Sequence, residues 1–306
     1  MNKNTKLQKV VVTGGAGFIG SNLTDALIDE GYEVHVIDNL SGGSKKNVNK
    51  KAKLHTIDIR DLKKLKKIMQ GARYVFHLAA LPRVQYSIEN PLETNEVNVV
   101  GTWNVFVAAK EAGVKRVVYA ASSSAYGDQD VLPLLETMEA RPKSPYGVQK
   151  YIGELYAKLA YDVYGLETVS LRYFNVYGPR LDPHGAYALV IGKFLQQRKE
   201  GKPITITGDG TQTRDFTHVR DVVRANMLAV KSKKVGKAEV VNIGAGNNQS
   251  INKIAELIGG PTKYIPVRFE PRDTRADISK AKKLLEWKPG VSIEEGIAEL
   301  KKIFGI

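Results

Sequence analysis

Tyr146 and Lys150 stand four residues apart in Ser144-Pro-Tyr-Gly-Val-Gln-Lys150. On a helix that is about one turn, so the phenol and the ammonium share a face. A lysine charge beside a phenol favours the phenolate. A tyrosine that ordinarily titrates near ~10 then becomes a general base near neutral pH. Taken alone, tyrosine and lysine at this spacing are commonplace surface residues. A second cluster, Ala121-Ser-Ser-Ser-Ala-Tyr-Gly127, closes the apolar run Val117 to Ala121 and puts hydroxyls at the end of a strand.

The other residues with chemistry in their spacing are Thr13-Gly-Gly-Ala-Gly-Phe-Ile-Gly20. They lie between the apolar, β-branched run Lys9 to Thr13 and a stretch with helical spacing, Phe18 to Glu30. Gly14, Gly17 and Gly20 let the backbone turn tightly and approach a pyrophosphate. The free N–H groups at the start of the helix, those of Phe18, Ile19 and Gly20, meet the phosphates with the positive dipole end. Asp38 ends the second strand, 18 residues past Gly20. An acid there accepts hydrogen bonds from ribose hydroxyls and repels a 2′-phosphate. No arginine or lysine falls between Asp38 and Ser44, so NAD is favoured over NADP, with Asn39 in the same stretch. Asp58 and Ile59, after the third strand, are placed to hold the adenine. His77-Leu78-Ala79-Ala80, after the fourth, would line the nicotinamide side.

These groups need a scaffold that presents strand ends. Val34 to Ile37, Leu54 to Ile57, Tyr74 to Leu78 and Val117 to Ala121 read as strands after the first, with helices over Leu62 to Met69 and about Pro91 to Ala112. Alternating strand and helix units predict an α/β fold, a doubly wound parallel sheet with helices on both faces. Beyond about Asn175, Gly and Pro punctuate shorter elements. Residues 1–175 are therefore expected to form a Rossmann-type NAD-binding domain, with later segments returning to it, and 176–306 a smaller C-terminal α/β substrate lobe.

Composition narrows the class. The chain has 306 residues, 42% hydrophobic and 25% charged, which is ordinary for a globular protein. With no cysteine, a disulfide framework, a Cys-ligated metal and a thiol nucleophile are excluded; no metal site is expected. The net charge of +14 could signal a polyanion. The lysines, however, lie in separated groups without interleaved aromatics, as on a solvated surface, so no nucleic-acid partner is expected. No apolar run approaches the ~18 residues of a membrane span, and Met1 to Lys9 lacks the apolar core of a signal peptide. A cytoplasmic protein that does not engage membranes is expected.

The glycine spacing, the Ser-rich strand end and the Tyr/Lys pair together resemble the extended short-chain dehydrogenase/reductase superfamily, and within it the UDP-hexose 4-epimerases. The resemblance runs from Val10 to about Leu300. It includes Asn98-Val-Val-Gly-Thr102, Leu171-Arg-Tyr-Phe-Asn-Val-Tyr-Gly-Pro-Arg180, Gly208-Asp-Gly-Thr-Gln-Thr-Arg-Asp-Phe216 and Ala276-Asp-Ile-Ser-Lys280. The Asp182 to Ala188 stretch is most similar to the UDP-N-acetylglucosamine 4-epimerase group.

The resemblance implies a bound NAD prosthetic group and a reaction through a 4-keto sugar. Tyr146 would take the proton of the 4-hydroxyl, Ser122 would hydrogen-bond the reacting oxygen, and Lys150 would hold the nicotinamide ribose. Asn98 and Tyr173 would contact the cofactor. Ser123, Ser124, Phe174, Asn175 and Arg214 would contact a UDP-sugar, with Arg272 or Arg268 on the diphosphate and Thr274 walling the cavity at sugar carbon 2. A homodimer through the helices of about Pro91 to Ala112 and Ser144 to Tyr164 is implied. Relatives that eliminate water or decarboxylate carry an acid just after the catalytic hydroxyl. Here those positions are Ser123 and Ser124. An NAD-dependent sugar dehydrogenase that releases its cofactor and a non-enzymatic sensor on the same fold are the competing readings.

Overall fold

The computed structural model describes residues 7–183, 190–266 and 272–306. Seven strands make one sheet: β1 (Lys9–Thr13), β2 (Glu33–Ile37), β3 (Lys53–His55), β4 (Tyr74–His77), β5 (Arg116–Ser122), β6 (Glu167–Tyr173) and β7 (Lys237–Ile243). Their order is β7-β6-β5-β4-β1-β2-β3, parallel throughout. Strands covered on both faces must be apolar along their whole length, and Val10, Val11, Val12, Val117 and Val118 are fully buried.

Helix α1 (Phe18–Asp29) and the segment Val219–Lys231 cover one face, packing Leu23, Leu27, Val219 and Val222 with Trp287. On the other face α2 (Leu62–Met69), α3 (Thr102–Glu111) and α4 (Pro145–Tyr164) bring in Leu65, Met69, Val105, Phe106, Ala157 and Ala160. The doubly wound sheet expected from the alternating pattern is present. Two of its strands are additions. In β6, Thr168, Ser170 and Arg172 interrupt the apolar run although all three are buried, and β7 opens with Lys237 and Glu239 inside the loop-rich half of the chain.

Strand β7 and the helix Val219–Lys231 therefore return to the sheet. Much of the rest of 176–306 gathers on its own core of Ile191, Phe194, Ile204, Ile254, Ile297 and Leu300. The sheet order reverses between β1 and β4, which opens a crevice at their carboxyl ends, the usual ligand position in such sheets. Among the described residues, no helix is long and apolar enough to cross a membrane.

Candidate active site

The loop after β1 reaches the crevice through contacts only glycine permits. Gly14 has φ +72°, and a Cβ on it would lie 2.7 Å from the Ala79 nitrogen. A Cβ on Gly20 would lie 2.1 Å from the Gly14 carbonyl oxygen. Helix α1 thus starts hard against the loop. Gly17 is its N-cap and no side chain caps it, which leaves the N–H groups of Phe18, Ile19 and Gly20 for a ligand. Asp38 is anchored by its own neighbours: Oδ2 accepts from Ala16 N at 2.9 Å and Oδ1 from Leu40 N at 2.8 Å. A close backbone approach, an uncapped helix start and a fixed carboxylate at the end of β2 fit a dinucleotide.

The residues expected at the adenine are held in a small network. Asn39 donates to Asp58 Oδ2 at 3.0 Å, and Arg60 forks onto the same carboxylate at 2.9 and 2.8 Å, holding it down to about 2. Ile59 is buried, its Cδ1 only 2.7 Å from where a Cβ on Gly101 would stand, so its side chain faces the core and only its backbone can face a base. Gly101 ends a π-helical turn, Glu96–Gly101, that carries Asn98, and such turns often mark functional sites.

Asn98 clamps the loop after β4. Its Oδ1 accepts from Leu81 N at 2.7 Å while Nδ2 donates to Leu81 O at 3.1 Å and to Gln149 Oε1 at 2.8 Å. It therefore holds the backbone of Leu78, Ala79 and Ala80 in place. The sequence placed His77 on the nicotinamide side; the structure buries it between Thr13 Oγ1, 2.7 Å away, and Thr102 Oγ1, 3.0 Å away. Burial pushes its imidazole down to about 3, so it is a neutral brace.

Helix α4 carries Tyr146 and Lys150, the pair expected to handle the proton. Ser144 caps it by accepting from Gly147 N at 3.1 Å, Pro145 begins its first turn, and Gly165, at φ 67°, ends it. Burial pushes the Tyr146 phenol up to about 12, and a hydrogen bond with Ser122 opposes the rise. Ser122 ends β5, where its Oγ accepts from Ser124 N at 3.1 Å and donates to Ser124 Oγ at 3.0 Å. Lys150 is 5% exposed; its Nζ donates to the Ala120 carbonyl at 2.8 Å and lies 5.0 Å from the Tyr119 ring centroid. Burial lowers this ammonium to about 8, and the Glu154 charge opposes the fall. In the protein alone, the cost of burying a phenolate dominates at Tyr146.

On the side where a UDP-sugar is expected, Asn175 takes φ 27° and donates from Nδ2 to Asp215 O at 3.0 Å. Arg214 Nη1 donates to the carbonyls of Thr213 and Arg272, both at 2.9 Å, and Thr274 Oγ1 accepts from Asp215 N at 3.3 Å. Asn175, Arg214, Arg272 and Thr274 therefore share one seam. The Arg272 side chain is 78% exposed; Arg268 and residues 184–188 lie outside the described residues. Ser123 and Ser124 are half-buried beside Ser122. Tyr173 turns its hydroxyl to Asn226 Oδ1 at 2.9 Å, and the Phe174 ring is wholly buried against Tyr126. For these two, only the backbone is left to face a ligand.

Sequence reasoning missed three supports. Gln149 donates to Thr94 Oγ1 at 3.0 Å and accepts from Asn98. Asp215 is fully buried and accepts from Ala245, Gly246 and Ala276 N–H groups at 2.6, 2.9 and 3.0 Å, joining three segments around the seam. Arg172 on β6 and Glu154 on α4 form a buried, two-pronged ion pair at 2.8 and 2.7 Å. The Lys150-to-Glu154 spacing of one turn was the available signal for Glu154.

Residues 10–244 match the NAD dependent epimerase/dehydratase family. A putative UDP-glucose 4-epimerase of Methanocaldococcus jannaschii is 41% identical, covering 94% of this chain and 95% of its own. A UDP-glucuronate 4-epimerase of Thermodesulfobacterium geofontis is 39% identical, over 94% and 93%. The solved UDP-N-acetylglucosamine 4-epimerase of Methanobrevibacter ruminantium M1, in complex with UDP-N-acetylmuramic acid, superposes with a TM-score of 0.93 at 39% identity, over 98% of this chain and 99% of that one.

Proposed function

The chain belongs to the NAD-dependent epimerase/dehydratase family, and on that premise we propose that it is a UDP-sugar 4-epimerase. It would interconvert gluco and galacto forms of UDP-glucose, of UDP-N-acetylglucosamine, or of both. The observation that carries this reading is the buried Lys150 one turn along α4 from Tyr146, its Nζ on the Ala120 carbonyl at 2.8 Å, with Ser122 close to the phenol at the end of β5. Hydroxyls, not carboxylates, occupy the two positions after Ser122.

The nucleotide would lie along Gly14, Gly17, Phe18, Ile19 and Gly20, with Asp38 and Asn39 at the ribose and Asp58, Ile59 and Leu78 to Ala80 along its flanks. Bound NAD supplies reversible oxidation at sugar carbon 4. Tyr146 accepts the 4-hydroxyl proton and returns it to the same oxygen. Ser122 holds that oxygen against the phenol. Lys150 keeps a positive charge in a site with little water, where it favours the phenolate more strongly than it would in bulk solvent. Arg214, with Arg272 or Arg268, holds the diphosphate, since a guanidinium fork suits phosphate oxygens. Residues 176–306 supply most of the UDP-sugar contacts.

The exposed apolar side chains Val148, Leu155, Leu159 and Val163 follow one another along α4, with Leu92 and Val100 on the neighbouring helical stretch. A second copy covering this stripe would make the protein a homodimer. Incubation with UDP-glucose, UDP-galactose, UDP-glucuronate and the N-acetylated pair, with products resolved by chromatography, tests the function. Conversion of at least one of these to its 4-epimer is expected; conversion of none would overturn it.

A further inference from the structure

Lys150 has to remain charged where charge is costly, and the groups packed around it offer little help. They are His77 on β4, held neutral; Tyr119 on β5, whose phenol burial pushes well above its ordinary value; Tyr146 on its own helix; and Glu154 one turn further along. Glu154 is the one carboxylate in that set; burial pushes its pKa up, and Arg172 and then Lys150 oppose the rise. Both its oxygens are taken by Arg172, whose Nε and Nη2 donate to Oε1 and Oε2 at 2.8 and 2.7 Å. Arg172 Nη1 has no hydrogen-bond partner among the described residues, and the guanidinium carbon lies 4.4 Å from the centroid of the Tyr126 ring, whose hydroxyl donates to Asn242 Oδ1 at 2.7 Å. An apolar pair would fill the space with less desolvation.

We infer that Glu154, gripped by Arg172, is the counter-charge that keeps Lys150 cationic, and that both act as positioning residues without touching substrate or cofactor. The grip matters as much as the charge. A free glutamate one turn away could swing onto the ammonium and draw it from the site. With both oxygens on Arg172, Glu154 acts on Lys150 only through its field. The Lys150 Nζ then stays on the Ala120 carbonyl at 2.8 Å, with donors to spare for the ribose and phenol.

The inference rests on the epimerase reading for its kinetic test, and a second readout needs no turnover. Epimerisation of a UDP-hexose is followed from about pH 6 to about pH 10 for the wild type, Glu154→Gln and Glu154→Asp. Losing the counter-charge should move the alkaline limb of kcat/KM down by about one pH unit or more, and Glu154→Asp should restore it. Independently, the stability difference between proteins with Lys150 and with Lys150→Met is measured against pH after cofactor removal. Its midpoint reports where the folded Lys150 titrates, and it should fall by a similar amount in the Glu154→Gln background. If Glu154→Gln does not fold, Glu154→Gln with Arg172→Gln removes both charges of the pair and should still lower the midpoint, because it is the Glu154 charge that acts on Lys150. An unmoved midpoint overturns the inference even if the protein epimerises nothing. A moved midpoint without any epimerisation overturns only the epimerase reading. An alkaline limb that stays in place in an active Glu154→Gln enzyme also overturns the inference about Glu154.

Discussion

Replacing Lys150 by methionine should make the cofactor-free protein more stable at neutral pH while disabling it. Burial holds the folded ammonium at about 8 against an ordinary 10.5. At ~1.4 kcal/mol per unit, the folded state carries a charge at pH 7 that costs about 3 kcal/mol. Methionine has similar length and no charge. It also leaves the Ala120 carbonyl, 2.8 Å from Nζ, without its donor, a loss of roughly 1–2 kcal/mol. A net gain of about 1–2 kcal/mol remains. The pH dependence gives the sharper check. Because the folded pKa is lowered, the unfolded chain binds a proton that the folded chain lacks between about 8 and 10.5. Wild-type stability therefore rises with pH through that window from this group, whereas the variant has no such term. The advantage of Lys150→Met should be full below about pH 8 and gone by about pH 10.5. Urea denaturation of the cofactor-stripped proteins at several pH values measures it. A variant no more stable than wild type at pH 7, with a difference that stays flat as pH rises, would refute the claim that burial sets the charge.

Tyr146→Phe should lower turnover by ~10²–10⁴-fold or more with UDP-sugar affinity kept; isothermal titration beside kinetics separates the two. Gly20→Ala forces a Cβ to within 2.1 Å of the Gly14 carbonyl, so NAD released on denaturation should fall from near-stoichiometric by about tenfold or more. Leu159→Glu puts a charge in the apolar stripe of α4, and light scattering should then find a monomer where the wild type is a dimer. Thr274→Tyr should cut activity on UDP-N-acetylgalactosamine at least about tenfold more than on UDP-galactose, since a phenol there walls off the acetamido group; an unchanged ratio of the two rates would place the wall elsewhere.

Much of the site was legible because its signals are local. The glycine loop is contiguous, Asp38 ends an apolar run, and Tyr146 with Lys150 needs only the period of a helix. The parts that were not legible depend on distant segments. Arg172 and Glu154 belong to different elements, and neither residue type announces burial. His77 read as a ligand-facing residue because its position follows the strand end, yet Thr13 and Thr102, far apart in the chain, capture both its nitrogens. For Tyr173 and Phe174 the resemblance implied ligand contacts, and the sequence does not show that Asn226 and Tyr126 draw their side chains inward. The burial that raises the Tyr146 phenol is not legible either, because a spacing conveys proximity and not dielectric.

One helix face ties these pieces together. Tyr146, Gln149, Lys150, Gly153 and Glu154 recur at three- and four-residue steps along α4, so they stack on one side of it. Gln149 reaches through Asn98 to the loop that carries Leu78 to Ala80. Lys150 reaches the end of β5, and Glu154 reaches β6. Gly153 lets the helix press against Tyr119, where a Cβ would stand 2.1 Å from the phenol oxygen. The proposed base, its charged neighbour and the loop expected to meet the cofactor are therefore set by one rigid-body placement. A change at Gly153 that lifts α4 by a fraction of an ångström should disturb all three at once. Effects of substitutions along this face should accordingly fail to add, as residues sharing one network do.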